Sequence, residues 1–245
     1  DLSKDGTYND GRTVVKDGVL TYTYMDGETE KSITLNGKSE RPADAGYDTI
    51  KEWIAAQVKA APAQPFTDVP EDAWYATHVA RAVKLGIVNG RTTTTFVPNA
   101  MVTREEFAVM TVRMLKAKGL VTEEELKAYT STPFGDVSSN SFALREIAYC
   151  ADKGIISGYG KNIFAPKKNI SRQDAAKILA GALGLDGTAE PFADQDAISD
   201  YAKPAVLACK AAKILDGKGQ NEFKPKDNLL RCEAAKIMVA AVDLG

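Results

Sequence analysis

No run of about 18 apolar residues occurs anywhere in the sequence, so no segment reads as a membrane-spanning helix. Charge of one sign is also lacking. Lys and Arg total 31 against 33 Asp and Glu, a net charge of −2, which is not the basic excess that nucleic acid requires. Cysteine is scarce: Cys150, Cys209 and Cys232 form no CxxC and no Cys/His spacing. No metal site follows, and an odd number of cysteines allows at most one disulfide. The simplest reading is three small buried apolar residues. The opening residues Asp1-Leu2-Ser3-Lys4 show neither a basic region nor an apolar core, so no signal peptide is expected there. What remains is ordinary globular material. With 44% hydrophobic and 26% charged residues, the 245-residue chain is long enough for one or two domains with a real core.

What the sequence does have is itself, three times. Phe66-Thr67-Asp68-Val69 recurs as Phe134-Gly135-Asp136-Val137 and as Phe192-Ala193-Asp194. Gly86-Ile87-Val88-Asn89-Gly90 recurs as Gly154-Ile155-Ile156-Ser157-Gly158 and Lys213-Ile214-Leu215-Asp216-Gly217. Phe96-Val97-Pro98 recurs as Phe164-Ala165-Pro166 and Phe223-Lys224-Pro225. Val102-Thr103-Arg104-Glu105-Glu106 recurs as Ile170-Ser171-Arg172-Gln173-Asp174 and Leu229-Leu230-Arg231-Cys232-Glu233. The opening Phe and the Arg are 38, 38 and 39 residues apart, whereas the connections differ by ten residues. The extra stretch, around 119–133, contains Thr122-Glu123-Glu124-Glu125, which predicts a short added helix.

Each unit reads as helix, loop, helix. Ala76, Val79, Ala80 and Val83 make one apolar face, as do Leu144, Ile147, Ala148 and Ala151, and Ala202, Ala205, Val206 and Cys209. Gly86 and Gly154 supply left-handed helix ends. The second helices start at Thr103/Glu106 and Ser171/Asp174, spaced as capping boxes. Stripes follow: Phe107, Met110, Met114 and Leu115; Ala175, Ile178, Ala182 and Leu183; Ala234, Ile237, Ala241 and Val242. A single pair cannot bury its apolar faces, but three can by packing their second helices together. Residues 63–245 are therefore expected to form one mainly α, pseudo-threefold domain, with repeats at about 66–118, 134–184 and 192–245.

Residues 1–62 differ. Val19–Tyr24 and Ser32–Leu35 alternate around Asp26-Gly27, predicting a β-hairpin. Tyr47–Lys59 reads as an amphipathic helix, and 61–65 as a linker. This segment is either a small cap or the end of an upstream domain.

The four ordered blocks resemble the S-layer homology (SLH) repeat, over about residues 66–245. The resemblance implies a spindle of three central helices with three helical prongs. It implies a secreted, non-enzymatic anchor that binds a secondary cell wall polysaccharide in grooves between repeats, often through a pyruvate ketal on N-acetylmannosamine. It further implies a monomer, with no cofactor, metal or catalytic residue. By matching position, the ligand contacts would be Arg104, Arg172 and Arg231, with Asp68, Asp136 and Asp194 and with Gly90, Gly158 and Gly217.

The residues themselves admit this chemistry. A helix start offers free N–H groups and a field suited to an anion, and a guanidinium fork fits a carboxylate. The Asp residues would accept from sugar hydroxyls, and Trp74, with Phe142 and Tyr201 at matching places, would stack on a sugar face. Plainer readings stand beside each. The arginines would bridge to an acid of the neighbouring repeat, the Asp residues would cap the first helices, the aromatics would be core and the glycines would serve turns. His78 is expected on a helix surface. Because Lys213 replaces a glycine and Leu230 replaces a cap, the Arg231 site is expected to be the weakest. Three other functions remain open: a glycosidase with paired carboxylates, a structural module for assembly of a surface layer, and a peptidoglycan-linked anchor of an outer-membrane protein.

Overall fold

The computed structural model describes residues 66–244 except Lys161, and four strands nearer the N-terminus. The chain divides into two units, Asp1–Ala63 and Gln64–Gly245.

In the first unit, β1 (Gly6–Thr7), β2 (Thr13–Lys16), β3 (Val19–Asp26) and β4 (Thr29–Asn36) form an antiparallel sheet in chain order. The expected hairpin is β3 against β4, in register Leu20↔Leu35 and Tyr22↔Ile33. The β2–β3 pairing was not anticipated, although Asp17-Gly18 between these strands is a strong hairpin signal. The helix expected over Tyr47–Lys59 lies outside the described residues.

The second unit is helical. Its elements are α1 (Ala76–Lys84), α2 (Arg104–Ala117), α3 (Glu123–Lys127), α4 (Leu144–Asp152), α5 (Arg172–Leu183), α6 (Lys203–Ala211) and α7 (Arg231–Asp243). The added helix of the longer connection is α3, started by a complete capping box at Thr122/Glu125.

The helices of one repeat do not simply pair with each other. The first helix of each repeat packs on the second helix of the repeat before it: α4 on α2, α6 on α5, and α1 on α7. The last contact closes a circle from the third repeat to the first. A ring of backbone hydrogen bonds marks its centre. Val102 donates to Leu229 at 2.9 Å, Leu229 to Ile170 at 3.0 Å, and Ile170 to Val102 at 2.9 Å. All three residues are fully buried. No repeat can make this ring alone, so the three should fold as one unit.

This arrangement corrects the expected helix faces. On α1 the buried residues are Ala76, Val79 and Ala82, with Ala80 and Val83 only half-buried, because the face is set by α7. Ala205 on α6, and Leu144 and Ala151 on α4, are likewise only partly covered. The second helices carry more than a stripe. On α2, residues 104–115 are buried except Glu106 and Arg113, because this helix meets α4, α5 and α7.

Each repeat is pinned by one aromatic pair joining its first and third blocks. Phe66–Phe96, Phe134–Phe164 and Phe192–Phe223 sit 5.4, 5.3 and 5.2 Å apart. Gly86 and Gly154 end their helices at φ 69° and 67°, as expected, and Lys213 takes the same left-handed conformation at φ 56°. All three cysteines are free and buried. Burial pushes the Cys150 and Cys209 thiols up to about 12, so they are protonated and inert.

Candidate functional site

The arginine that opens each second helix is buried, at 4% exposure in all three repeats. Its hydrogen-bond partners are backbone carbonyls of the next repeat. Arg104 Nε donates to Phe164 O at 2.8 Å and its Nη2 to Ser157 O at 3.2 Å. Arg172 repeats this on Phe223 O and Asp216 O at 2.8 and 3.0 Å. Arg231 repeats it on Phe96 O and Asn89 O at 2.9 and 2.7 Å. Each guanidinium also lies over the phenylalanine whose carbonyl it holds, 4.5 to 4.9 Å from the ring centroid. The bridge to a neighbouring acid is therefore corrected for Arg104 and Arg231. Among the described residues, Arg172 alone of the three has a carboxylate within 4 Å, Glu233 at 3.8 Å.

The helix starts are not free either. Arg104 N donates to Lys168 O and Glu105 N to Pro166 O, and the third N–H is taken by the Thr103 side chain. Arg172 and Gln173 donate to Asp227 O and Pro225 O, and Arg231 and Cys232 to Ala100 O and Pro98 O. Carbonyls of the next repeat thus converge on each helix start. Their partial negative charge is the physical reason a cation stands where the helix field alone would disfavour it.

The caps share out the box unevenly. Thr103/Glu106 makes both halves, Ser171 makes the side-chain half only, and Leu230 has no oxygen to offer. The Leu230 N–H is still held by Glu233 at 3.0 Å. Neither Leu230 nor Lys213 disturbs the Arg231 hydrogen bonds to Phe96 O and Asn89 O. Burial and nearby Arg91 push the Arg231 guanidinium down to about 10, which leaves it charged at neutral pH.

The Asp residues do not cap the first helices, whose N-cap positions Tyr75, Ala143 and Ala202 make no side-chain cap bond. Each Asp spans the Phe-x-Pro block instead. Asp68 accepts from Phe96 N and Val97 N at 2.8 and 2.7 Å. Asp136 does so from Phe164 and Ala165, and Asp194 from Phe223 and Lys224. The middle residue of each block, Val97, Ala165 or Lys224, sits at φ 58°. A side chain adopts that conformation at a cost of roughly 1–2 kcal/mol, which the carboxylate offsets. Burial raises the Asp136 and Asp194 carboxyls, but their backbone N–H donors outweigh it and the net shift is downward.

Gly90, Gly158 and Gly217 serve close approach of the chain rather than positive φ. A Cβ at Gly90 would overlap Thr92 O and the Phe66 ring, one at Gly158 would overlap Ile163 O, and one at Gly217 would lie 2.9 Å from Glu222 O. Trp74, Phe142 and Tyr201 are not core: they are 58%, 63% and 51% exposed.

The three equivalent grooves then diverge. The first groove, at Arg104, holds a cavity of about 200 Å³ lined by Arg104, Gly158, Tyr159, Asp174, Lys177 and Tyr201. Arg104 lies 4.5 Å from the Tyr159 centroid, and Lys177 lies 5.1 Å from that of Tyr201. Asp174 is occupied by the Tyr201 hydroxyl, 2.6 Å away. Burial and this hydrogen bond push Tyr201 up to about 12, so it remains a donor. Among the described residues, neither Arg104 nor Lys177 has a carboxylate within 4 Å.

In the other two grooves the position after the glycine carries a cation that pairs with the helix acid. Lys218 meets Glu233 at 3.0 Å in the second groove, and Arg91 pairs with Glu106 in the third. Lys236 pairs with Asp216 at 2.7 Å in the second. Tyr159, Asp174, Lys177, Lys218 and Arg91 were not singled out from sequence. The signal was the variation Gly90-Arg91, Gly158-Tyr159, Gly217-Lys218 at one fixed repeat position.

Comparison with known proteins agrees with the repeat pattern. The family model described as S-layer homology domain matches residues 65–108, 133–176 and 191–235. The chain is 31% identical over 181 residues to an endoglucanase of Bacillus sp. (strain KSM-635), covering 71% of this chain and 18% of that protein. It is 31% identical over 185 residues to an amylopullulanase of Thermoanaerobacterium thermosulfurigenes, covering 73% and 9%. It is also 32% identical over 114 residues to the S-layer protein sap of Bacillus anthracis, covering 45% and 14%. The chain thus spans less than a fifth of the length of each of these relatives.

Proposed function

The chain belongs to the S-layer homology family, and from that premise we propose that its first groove binds an anionic wall glycan, the acidic sugar seated between Arg104, Lys177, Tyr159 and Tyr201. The module serves cell-surface anchoring, and its place is the cell surface or cell wall. The two enzyme relatives match it only through this small part of their length, so they lend it no catalytic role. No helix among the described residues is long and apolar enough to cross a membrane.

The observation that carries the reading is that, among the described residues, neither cation of the first groove has a carboxylate within 4 Å, beside two tyrosine rings. The carboxylate of a pyruvate ketal supplies the missing charge, and the rings supply a face for the sugar. Arg104 would meet it with Nη1, the guanidinium nitrogen that holds no carbonyl. Lys177 would add a mobile cation at the rim. Asp174 and the backbone around Gly158 would accept from the hydroxyls. In this reading Asp68, Asp136 and Asp194 act indirectly, by fixing the loops whose carbonyls hold the arginines.

Calorimetry with a synthetic pyruvylated N-acetylmannosamine sugar tests this. Binding should be lost on removal of the pyruvyl group and weakened about tenfold by Lys177→Ala. Unchanged binding to the depyruvylated sugar would sink the carboxylate mechanism and favour an assembly module.

A further inference from the structure

Two residues that depart from the threefold pattern meet in one cleft. His78 has Glu146 and Ala205 at its counterpart positions, and Lys213 stands where Gly86 and Gly154 end their helices. Both line a cavity of about 380 Å³ between α1 and α7, together with Thr77, Arg81, Lys236 and Asp243. Lys213 holds a left-handed backbone at a cost that glycine avoids in the other two repeats.

The equivalent cleft between α5 and α6 shows what the pattern looks like without these residues. It has Gly154 for Lys213, Ala205 for His78, Ala208 at the position of Arg81 and Gly181 for Ala240, and it keeps a lysine, Lys177, at the position of Lys236. The fold therefore makes the cleft and places one lysine in both copies, Lys177 or Lys236, and the third and first repeats add Lys213, His78 and Arg81.

Part of that charge is already matched. Arg81 pairs with Asp243, and Lys236 with Asp216 at 2.7 Å. Lys213 has no carboxylate within 4 Å among the described residues. His78 faces Arg81 on its own helix, Lys236 and Asp243 on α7, and Lys213 across the cleft. Burial lowers its pKa, and Lys236 and Arg81 act in the same direction against Asp243.

We propose that this cleft is an anion site for a phosphate group, free or carried on a sugar, held by Lys213, Lys236, Arg81 and His78. The cations approach from three elements, the α1 helix, the α7 helix and the chain after α6. A tetrahedral dianion presents oxygens to all three, whereas a planar carboxylate addresses one side. Its charge opposes the burial and the cationic repulsion that lower the His78 pKa, so binding and protonation of His78 are linked. The site does not depend on the first groove, which is a different groove with different lining residues.

His78 is the only histidine in the chain, so its imidazole resonances report the cleft without ambiguity. At constant ionic strength, inorganic phosphate should shift them saturably and raise the His78 pKa by about 0.5–1 unit. Lys213→Gly restores the residue of the other repeats and should fold normally, yet weaken phosphate at least about fivefold. Tyr159→Ala should leave the titration unchanged. Tighter binding of glucose 6-phosphate than of inorganic phosphate would assign the ligand to a glycan, and equal binding would assign it to the free anion. No saturable shift, or equal affinity in Lys213→Gly, would overturn the proposal.

Discussion

The first and second grooves share an arginine with the same two carbonyl bonds, yet the charges around it are balanced differently. In the second, Lys218 and Glu233 supply to each other the charge a ligand would have supplied. In the first, Tyr159 replaces that lysine and Asp174 turns to the Tyr201 hydroxyl, so among the described residues Arg104 and Lys177 have no carboxylate within 4 Å. The repeated residues hold the grooves in shape, and the unrepeated ones decide which groove has its cations paired.

The largest expected effect strikes all grooves alike. Replacing Arg104, Arg172 or Arg231 by alanine removes hydrogen bonds from two carbonyls, one of them on a fully buried phenylalanine. Each variant should lose about 3 kcal/mol of stability by denaturant unfolding. Near-equal losses fit a shared structural role, whereas an unaltered unfolding midpoint for any one would remove that arginine from it. Binding losses in these variants would be confounded by stability, so Lys177 is the cleaner probe.

The next effect would erase the difference between the grooves. Tyr159→Lys should pair with Asp174 as Lys218 pairs with Glu233, and weaken the anionic sugar about tenfold in calorimetry. Retained affinity would show that an ion pair does not close a groove.

Acid should act on the shared frame. The folded carboxyls of Asp136 and Asp194 lie below their unfolded values, near about 3.9 for aspartate. Their contribution is present above that pH and is lost as pH falls through the folded values. Asp136→Asn should therefore flatten the acid limb of a stability-against-pH curve, and an unchanged slope would contradict the assignment. The smallest effect concerns the third repeat. Leu230→Thr adds the missing half of its capping box and should gain about 0.5–1 kcal/mol, read as a higher unfolding midpoint, with groove affinity untouched.

Much of the fold was legible because it is written in repeated side chains. The repeated blocks and apolar spacings gave the helices and the left-handed ends at Gly86 and Gly154, and the Thr122/Glu125 box in the unrepeated connection gave α3. The partners of the arginines were not legible, because Phe164 O and Ser157 O are backbone atoms of the next repeat and leave no residue-type signal. For the same reason the helix starts looked free when they were satisfied, and Asp68 looked like a cap when it was bracing Val97. The helix faces were misjudged by a residue or two because α1 packs on α7, a contact that depends on closing the circle. The most informative sequence position was the one that failed to repeat, Arg91, Tyr159 and Lys218.

Calorimetric titration of the pyruvylated sugar into Lys177→Ala and Lys218→Ala, beside the unaltered chain, tests the central claim most directly. A single site weakened about tenfold by Lys177→Ala and unaffected by Lys218→Ala is the predicted result. Equal weakening by both, or three equivalent sites on the unaltered chain, would contradict it.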